Sequence, residues 1–311
     1  MSSLQMAIGV VVPMAIMMGI GVLLRLGKIT DRTTMKKVDR IIYTLFTPAL
    51  VFTNIYNTDF SSLTNPGFLL YGAAGLIAVF VLALILIPKF IPEMPVAAAF
   101  GQGIVRPNYV IFGAAVAQGI YGEGNIGVVM LMGAMSIPMI NVMSAIILEM
   151  GRNGKASPGK LLLAILKNPI LIAVFLGLSL NLSGLRLPGV FEGVLGDLGG
   201  LATPLSFLSI GVSLAFGAST RKRLLSLATA LRLVILPLIF VVGGILLGFR
   251  GQQLLSLLIL FGAPTAVSSY PMAVAMGADG ELAGQLVAVS TLLCLPTIFL
   301  WTMVLNMLQL L

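Results

Sequence analysis

The sequence predicts an all-α polytopic membrane protein: ten transmembrane helices in two inverted five-helix repeats, with the fourth and ninth helices broken and crossing at the midplane. Three observations predict it. Of the 311 residues, 59% are apolar and only 9% charged, against about a quarter charged in soluble domains. A soluble fold of this length leaves too much surface in water to hide so much hydrocarbon, and a disordered chain would be poor in apolar residues. The apolar residues form long blocks rather than short alternating segments, which selects helices over a barrel. The third observation is a proline pattern that occurs twice along the chain.

Apolar stretches of about 20 residues, the length that crosses a bilayer, place helices at 4–26, 38–56, 67–88, 95–119, 125–150, 161–181, 192–217, 223–248, 252–276 and 281–309. The first block follows Met1-Ser2-Ser3-Leu4-Gln5, which has no basic region, and Arg25 and Lys28 come after it. It therefore reads as a retained helix and not a cleaved signal. The connections are short. The longest polar one, Gly151-Arg152-Asn153-Gly154-Lys155-Ala156-Ser157-Pro158-Gly159-Lys160, has the composition of a flexible linker. It divides the chain into a first repeat at 1–151, a linker at 152–160 and a second repeat at 161–311.

The loop charges orient the chain. Lys28, Arg32, Lys36, Lys37 and Arg40 follow the first helix; Lys89, then Arg152, Lys155 and Lys160, then Arg221, Lys222 and Arg223 fall on the same side, and the opposite loops offer only Arg186 and Arg250. Positive residues stay cytoplasmic, so both termini are expected outside. The net charge of +8 is thus orientation bias, and no nucleic-acid partner is expected. Cys294 is the sole cysteine and histidine is absent. Internal disulfides, zinc and haem sites and Ser-His or Cys-His catalysis lose their usual residues, and no cofactor or metal is expected.

The two halves resemble each other. Pro13 and Pro169, Gly21 and Gly177, and Thr47-Pro48 and Thr203-Pro204 are each 156 residues apart. Pro107 and Pro264 differ by 157, and Pro138 and Pro296 by 158. Four of five helices in each half carry a proline at the matching place. Five spans is an odd number, so the second copy enters the membrane from the other side. Inverted repeats are the architecture of many secondary transporters.

Pro107 and Pro264 sit near the centres of their spans. Each removes an N–H and displaces the carbonyl four residues back, here Gly103 and Leu260. An unpaired carbonyl in hydrocarbon costs several kcal/mol. Further breakers and polar groups surround both prolines: Gly101-Gln102-Gly103 and Asn108 in one half, Gly262, Thr265, Ser268, Ser269 and Pro271 in the other. Either these are simple kinks, or both helices break and their half-helix N-termini offer N–H groups to an anion. Arg106 lies about 11 residues from either end of its span, roughly 16 Å of helix, too far to snorkel. It faces a cavity or substrate, or it bonds freed carbonyls. Arg232, about eight residues from a span end, is expected to snorkel or to bond carbonyls loosened by Pro237. Thr47-Pro48 and Thr203-Pro204 put hydroxyls beside kinks. These either bond their own helix or, with Asn54, Ser206 and Ser209, line a cavity wall.

Leu45-Phe46-Thr47-Pro48-Ala49-Leu50, Lys167-Asn168-Pro169, Leu201-Ala202-Thr203-Pro204-Leu205, Ile210-Gly211-Val212-Ser213-Leu214 and Ala263-Pro264-Thr265-Ala266-Val267-Ser268-Ser269 together resemble the auxin efflux carrier family, which includes plant PIN transporters and bacterial malate permease-like carriers. The resemblance runs over essentially the whole chain. It implies a scaffold from the first two helices of each repeat, a mobile transport domain from the other three, and a substrate site where the broken helices cross. It also implies that Asn108 holds a substrate carboxylate, and it suggests a homodimer. The family's proline seven residues after that asparagine is Ala115 here, whereas Pro271 keeps the matching place in the second half. The first crossover is then built around Pro107, or is less sharply broken. The long cytoplasmic loop of many plant members is missing, which implies the plasma (inner) membrane of a prokaryote.

The expected function is secondary transport of a small organic anion by alternating access. Its carboxylate is held by Asn108, Thr265, Ser268 and backbone N–H groups, with Arg106 adding positive potential. Family analogy favours a malate-like acid over auxin. Coupling stays open among uncoupled, proton-linked and sodium-linked transport, the last as in bile acid:sodium symporters. Asp39, Glu149 and Asp197 are the candidate coupling carboxylates, and each lies near a helix end, where a solvated or ion-paired role is the alternative. An intramembrane enzyme would need acids, nucleophiles or metal ligands at depth, and the spans lack that cluster.

Overall fold

The computed structural model describes residues 3–57, 66–121, 126–153, 166–213 and 221–311. All named elements among the described residues are helical. Helix α1 is Ser3–Leu26 and α2 is Arg32–Ile41; a π-turn at Ile42–Phe46 carries α2 into α3, Thr47–Tyr56. Helix α4 is Pro66–Phe90 and α5 is Met94–Val105; a second π-turn, Tyr109–Gly113, leads into α6, Ala114–Tyr121. Then come α7 at Gly127–Asn153, α8 at Pro169–Ser183 and α9 at Gly189–Ser213. Helix α10, Lys222–Ala230, passes through a third π-turn, Leu231–Ile235, into α11, Leu236–Leu246. Helices α12 (Gln252–Gly262), α13 (Ser269–Ala275) and α14 (Gly280–Met307) complete the chain. Residues 161–165 and 214–217, expected as helix ends, and most of the expected linker, 154–160, lie outside the described residues.

Among the described residues, five stretches are long and apolar enough to cross a membrane: Gly67–Phe90, Gly127–Arg152, Gly189–Ser213, Lys222–Leu246 and Gly280–Met307. Shorter apolar helices run at Ala15–Leu26, Met94–Val105, Pro169–Ser183 and Gln252–Gly262. Large apolar side chains such as Leu82, Ile85, Phe175, Leu238 and Leu246 point outward. So much exposed hydrocarbon on a monomer marks a surface meant for lipid. The protein is a multi-pass membrane protein.

The second predicted helix begins earlier than expected. Asp31 caps α2, its side chain accepting from the Thr34 N–H at 2.7 Å, so the chain coils from Arg32. Arg32, Lys36, Lys37 and Arg40 therefore stand exposed on a helix rather than in a loop, while Asp39 turns inward. The prolines explain two of the π-turns. Each of these turns ends two residues before a proline, Pro48 or Pro237, and the wider turn absorbs the lost hydrogen bond. The carbonyl of Leu233, four residues before Pro237, accepts instead from the Trp301 indole at 3.2 Å.

Packing sorts the helices into two groups. In one, α1 packs on α9 and α3 on α8 and α9; in the other, α4, α5 and α7 pack together, α10, α12 and α13 pack on α14, and α11 packs on α12. Gly21 of α1 and Gly211 of α9 touch backbone to backbone, so a Cβ on either would overlap a carbonyl of the other helix. Gly177 of α8 sits less closely on α3, where a Cβ would come within 3.2 Å of Ile55 Cβ and the Phe52 carbonyl. Gly211→Val should destabilise the protein by about 1–3 kcal/mol or more, the usual cost of overpacking, read as a lower melting temperature in detergent. An unchanged melt would mean the helices separate at no cost. On the basic face, Arg221 bridges Glu93 at 2.7 Å and Asp279 at 3.1 Å and ties three connections together. Its guanidinium holds the Glu93 carboxyl below the usual range.

Candidate functional site

The site is built by two interruptions that lie against each other. Helix α5 stops at Val105, and Arg106 is extended. Helix α12 stops at Gly262, and α13 begins only at Ser269. Between them runs a single antiparallel bridge, Pro107 to Thr265: the Asn108 N–H donates to the Pro264 carbonyl at 2.8 Å, and the Ala266 N–H to the Arg106 carbonyl at 3.0 Å. The first interruption is thus centred on Pro107, and the helix resumes through the π-turn at Tyr109–Gly113.

The carbonyls freed by the prolines find buried donors. That of Gly103 accepts from the Thr265 hydroxyl at 2.9 Å, and the Thr265 N–H donates in turn to Ser290 Oγ at 3.0 Å. That of Leu260 accepts from Arg232 Nη2 at 2.7 Å. Arg232 also gives Nε to Ala263 at 2.8 Å and Nη1 to Ile104 at 2.9 Å, and it is 1% exposed. The expectation that Arg232 snorkels, or bonds carbonyls loosened by Pro237, is corrected. Trp301 serves the carbonyl beside Pro237, and Arg232 reaches the C-terminal ends of both half-helices, where the helix dipole favours a cation.

Arg106 is placed otherwise. It is 4% exposed and gives one nitrogen, Nη2, to Ser268 Oγ at 3.0 Å; Nε and Nη1 have no partner. It borders a cavity of about 80 Å³ shared with Thr47, Asn54, Pro107, Asn108, Thr203 and Ser268. Thr47 Oγ1 and Asn108 Nδ2 are buried and unpartnered there, so Thr47 does not bond its own helix. Among the described residues, no Asp or Glu lines this cavity. Such a volume holds several waters, at about 10–15 Å³ each by this measure.

The other candidates stand behind or beside the cavity. Pro264, Thr265 and Ser269 form the crossing itself, and Pro271 is buried in α13. Pro48 and Pro204 lie within their helices, next to the lining threonines. Ser206 bonds its own helix at Ala202. The N–H groups of Ser269 and Tyr270 are taken by Ala266 and Val267, so this half-helix does not offer them freely. Of the carboxylates, Asp197 is exposed on α9, whereas Glu149 and Asp39 are buried, and solvation near a span end does not describe these two. Sequence reasoning passed over Asn141, which lines the cavity from α7; its Nδ2 donates to Ile137 at 2.8 Å and Oδ1 has no partner. The signal was present, a polar residue three places after mid-span Pro138. Tyr109 and a wall of Leu50, Val51, Ile137 and Ile140 complete the lining.

A family model described as membrane transport protein matches residues 6–302. A protein of Methanothermobacter thermautotrophicus named as an uncharacterized transporter is 33% identical over 138 residues, covering 44% of this chain and 45% of that relative. The chain thus spans less than half the length of that curated relative.

Proposed function

Because the chain belongs to the membrane transport protein family, the auxin efflux carrier or PIN-like family, we propose that it is a secondary transporter of small organic anions, carboxylates of a malate-like or auxin-like kind. The observation that carries this reading is the Arg106 guanidinium, buried at the crossing with Nε and Nη1 unpaired, beside a cavity that, among the described residues, no carboxylate lines. A buried cation left short of partners is a costly group, and an anionic guest repays it. A carboxylate suits Arg106, whose Nε and Nη1 are open to charge-assisted bonds, with Asn108 Nδ2 and the Thr47 hydroxyl as further donors. The chemistry asked of the site is binding, not bond-making, so we read the protein as a carrier and not an enzyme.

In this reading the chain crosses the bilayer ten times as two inverted repeats, 1–151 and 161–311 joined by the linker at 152–160. The crossing of the fourth and ninth helices lies at the midplane, and both termini lie outside the inner membrane of a prokaryote. The paired crossings of Gly21 on α9 and Gly177 on α3 support the duplication. The group α1, α3, α8 and α9 serves as scaffold and the other group as the moving, elevator-type body. A homodimer follows from the family likeness.

A sodium-linked carrier of the bile acid:sodium symporter type is the second reading. The half-helix carbonyls that coordinate sodium in such folds are met here by Arg232, which weighs against it. Thermal-shift measurement of the purified protein with mono- and dicarboxylates, followed by uptake into proteoliposomes under imposed voltage or sodium gradients, tests both readings. Stabilisation by an organic acid and voltage-driven uptake without sodium are expected; uptake driven by sodium alone would overturn the first reading.

A further inference from the structure

Asp39 is wholly buried, and neither carboxylate oxygen has a hydrogen-bond partner. It sits where α2 packs against α9 of one helix group and α13 of the other. The groups facing it are the hydroxyls of Ser209 on α9 and Tyr270 on α13. Ser209 Oγ is also unpartnered, and the Tyr270 hydroxyl donates its proton to Ser213 Oγ at 2.7 Å. Among the described residues, no cation faces Asp39. Lys36 and Arg40 on its own helix are exposed, α13 carries no charged residue, and Glu192 and Asp197, the acids of α9, lie toward its start. Tyr43, in the π-turn, sits near Glu149 and Arg152. Beyond Tyr270 lies a second cavity of about 470 Å³, bordered by Arg32, Lys36 and Glu281.

We propose that Asp39 is a proton-binding site on the seam between the two helix groups, through which anion movement is linked to protons; this rests on the transporter reading above. A buried carboxyl that faces hydroxyls and no cation is held most cheaply as the neutral acid. In that form its own O–H can serve Ser209 or Tyr270. When α13 shifts against α2 and α9, water from the second cavity reaches the seam. The O–H bond of Asp39 then breaks, the proton passes to that water, and the electron pair stays on the carboxylate. Reclosure takes one proton back. The neutral form also removes a negative charge that would repel an anion crossing the same seam.

The test begins without any substrate. Melting temperatures of wild type, Asp39→Asn and Asp197→Asn are compared in detergent from about pH 5 to about pH 8, above the ordinary aspartate range. A carboxyl that is neutral in the fold favours the native state less as pH rises, because the unfolded chain ionises freely. Wild type should therefore lose a few degrees toward high pH. Asp39→Asn should stay level and melt above wild type at the high end, and exposed Asp197→Asn should track wild type. Parallel curves for wild type and Asp39→Asn would overturn the proposal, as would stabilisation of wild type by sodium at high pH that Asp39→Asn lacks. In proteoliposomes, Asp39→Asn should keep malate exchange but lose malate accumulation driven by an inward proton gradient; retained accumulation would also overturn it. If neither protein moves malate, the malate-like substrate reading fails, and the melting curves still decide the proton site.

Discussion

Arg232→Leu is expected to yield protein that does not survive extraction as a folded monodisperse species. The side chain donates three bonds, to Ile104, Leu260 and Ala263 at 2.9, 2.7 and 2.8 Å. A leucine there leaves three buried backbone carbonyls, each at a cost of roughly 1–3 kcal/mol. The sum is comparable to the whole stability of an ordinary domain, about 5–15 kcal/mol. Exchanging a buried ion pair for apolar groups is often harmless, because both partners go. Here the acceptors are main chain and remain whatever the side chain becomes. Arg232→Lys keeps the charge but offers a compact ammonium in place of a planar fork, so it should fold with a lower melting temperature. Size-exclusion profiles and melts of the detergent-purified variants measure this, and an Arg232→Leu protein that melts like wild type would show that these carbonyls need no donor.

The helix breaks were legible because their cause is local. Pro107 and Pro264 name the carbonyls they free, Gly103 and Leu260, from the sequence alone. The partners of those carbonyls were not legible, because they come from far along the chain: Thr265 for Gly103, and Arg232 for Leu260. Sequence reasoning sent Arg232 to its neighbour Pro237, and only the tertiary packing of α14 shows that Trp301 already serves that turn. Hydropathy also misplaced the start of the second helix. The cationic first turns of α2 have no apolar block to announce them, and their signal is the Asp31 cap. That shift takes Asp39 from the second residue of a span to two turns inside a helix. Thr47 and Thr203 were legible as cavity candidates through the repeated Thr-Pro pair, whereas Asn141 stands alone in its half and was missed.

Arg106→Ala is expected to abolish anion uptake while leaving the melting temperature close to wild type, the reverse of the Arg232 result from a residue equally buried. The difference lies in what each guanidinium touches. Arg232 is spent on the backbone, whereas Arg106 makes one bond, to the Ser268 hydroxyl, and keeps Nε and Nη1 free beside the cavity. Removing it strands no carbonyl and relieves a poorly partnered cation, so the fold loses little. A bound carboxylate would lose two charge-assisted bonds at about 1.5–3 kcal/mol each. That weakens binding by a factor on the order of 100 or more at 1.4 kcal/mol per tenfold. Arg106→Lys should retain part of the binding, since the charge stays and the planar guanidinium goes. Uptake in proteoliposomes and titration of the stabilising organic acid against the purified variants separate the two effects. If Arg106→Ala instead unfolds, the guanidinium serves the crossing as Arg232 does. If it transports at the wild-type rate, the cavity at the break is not where the anion binds.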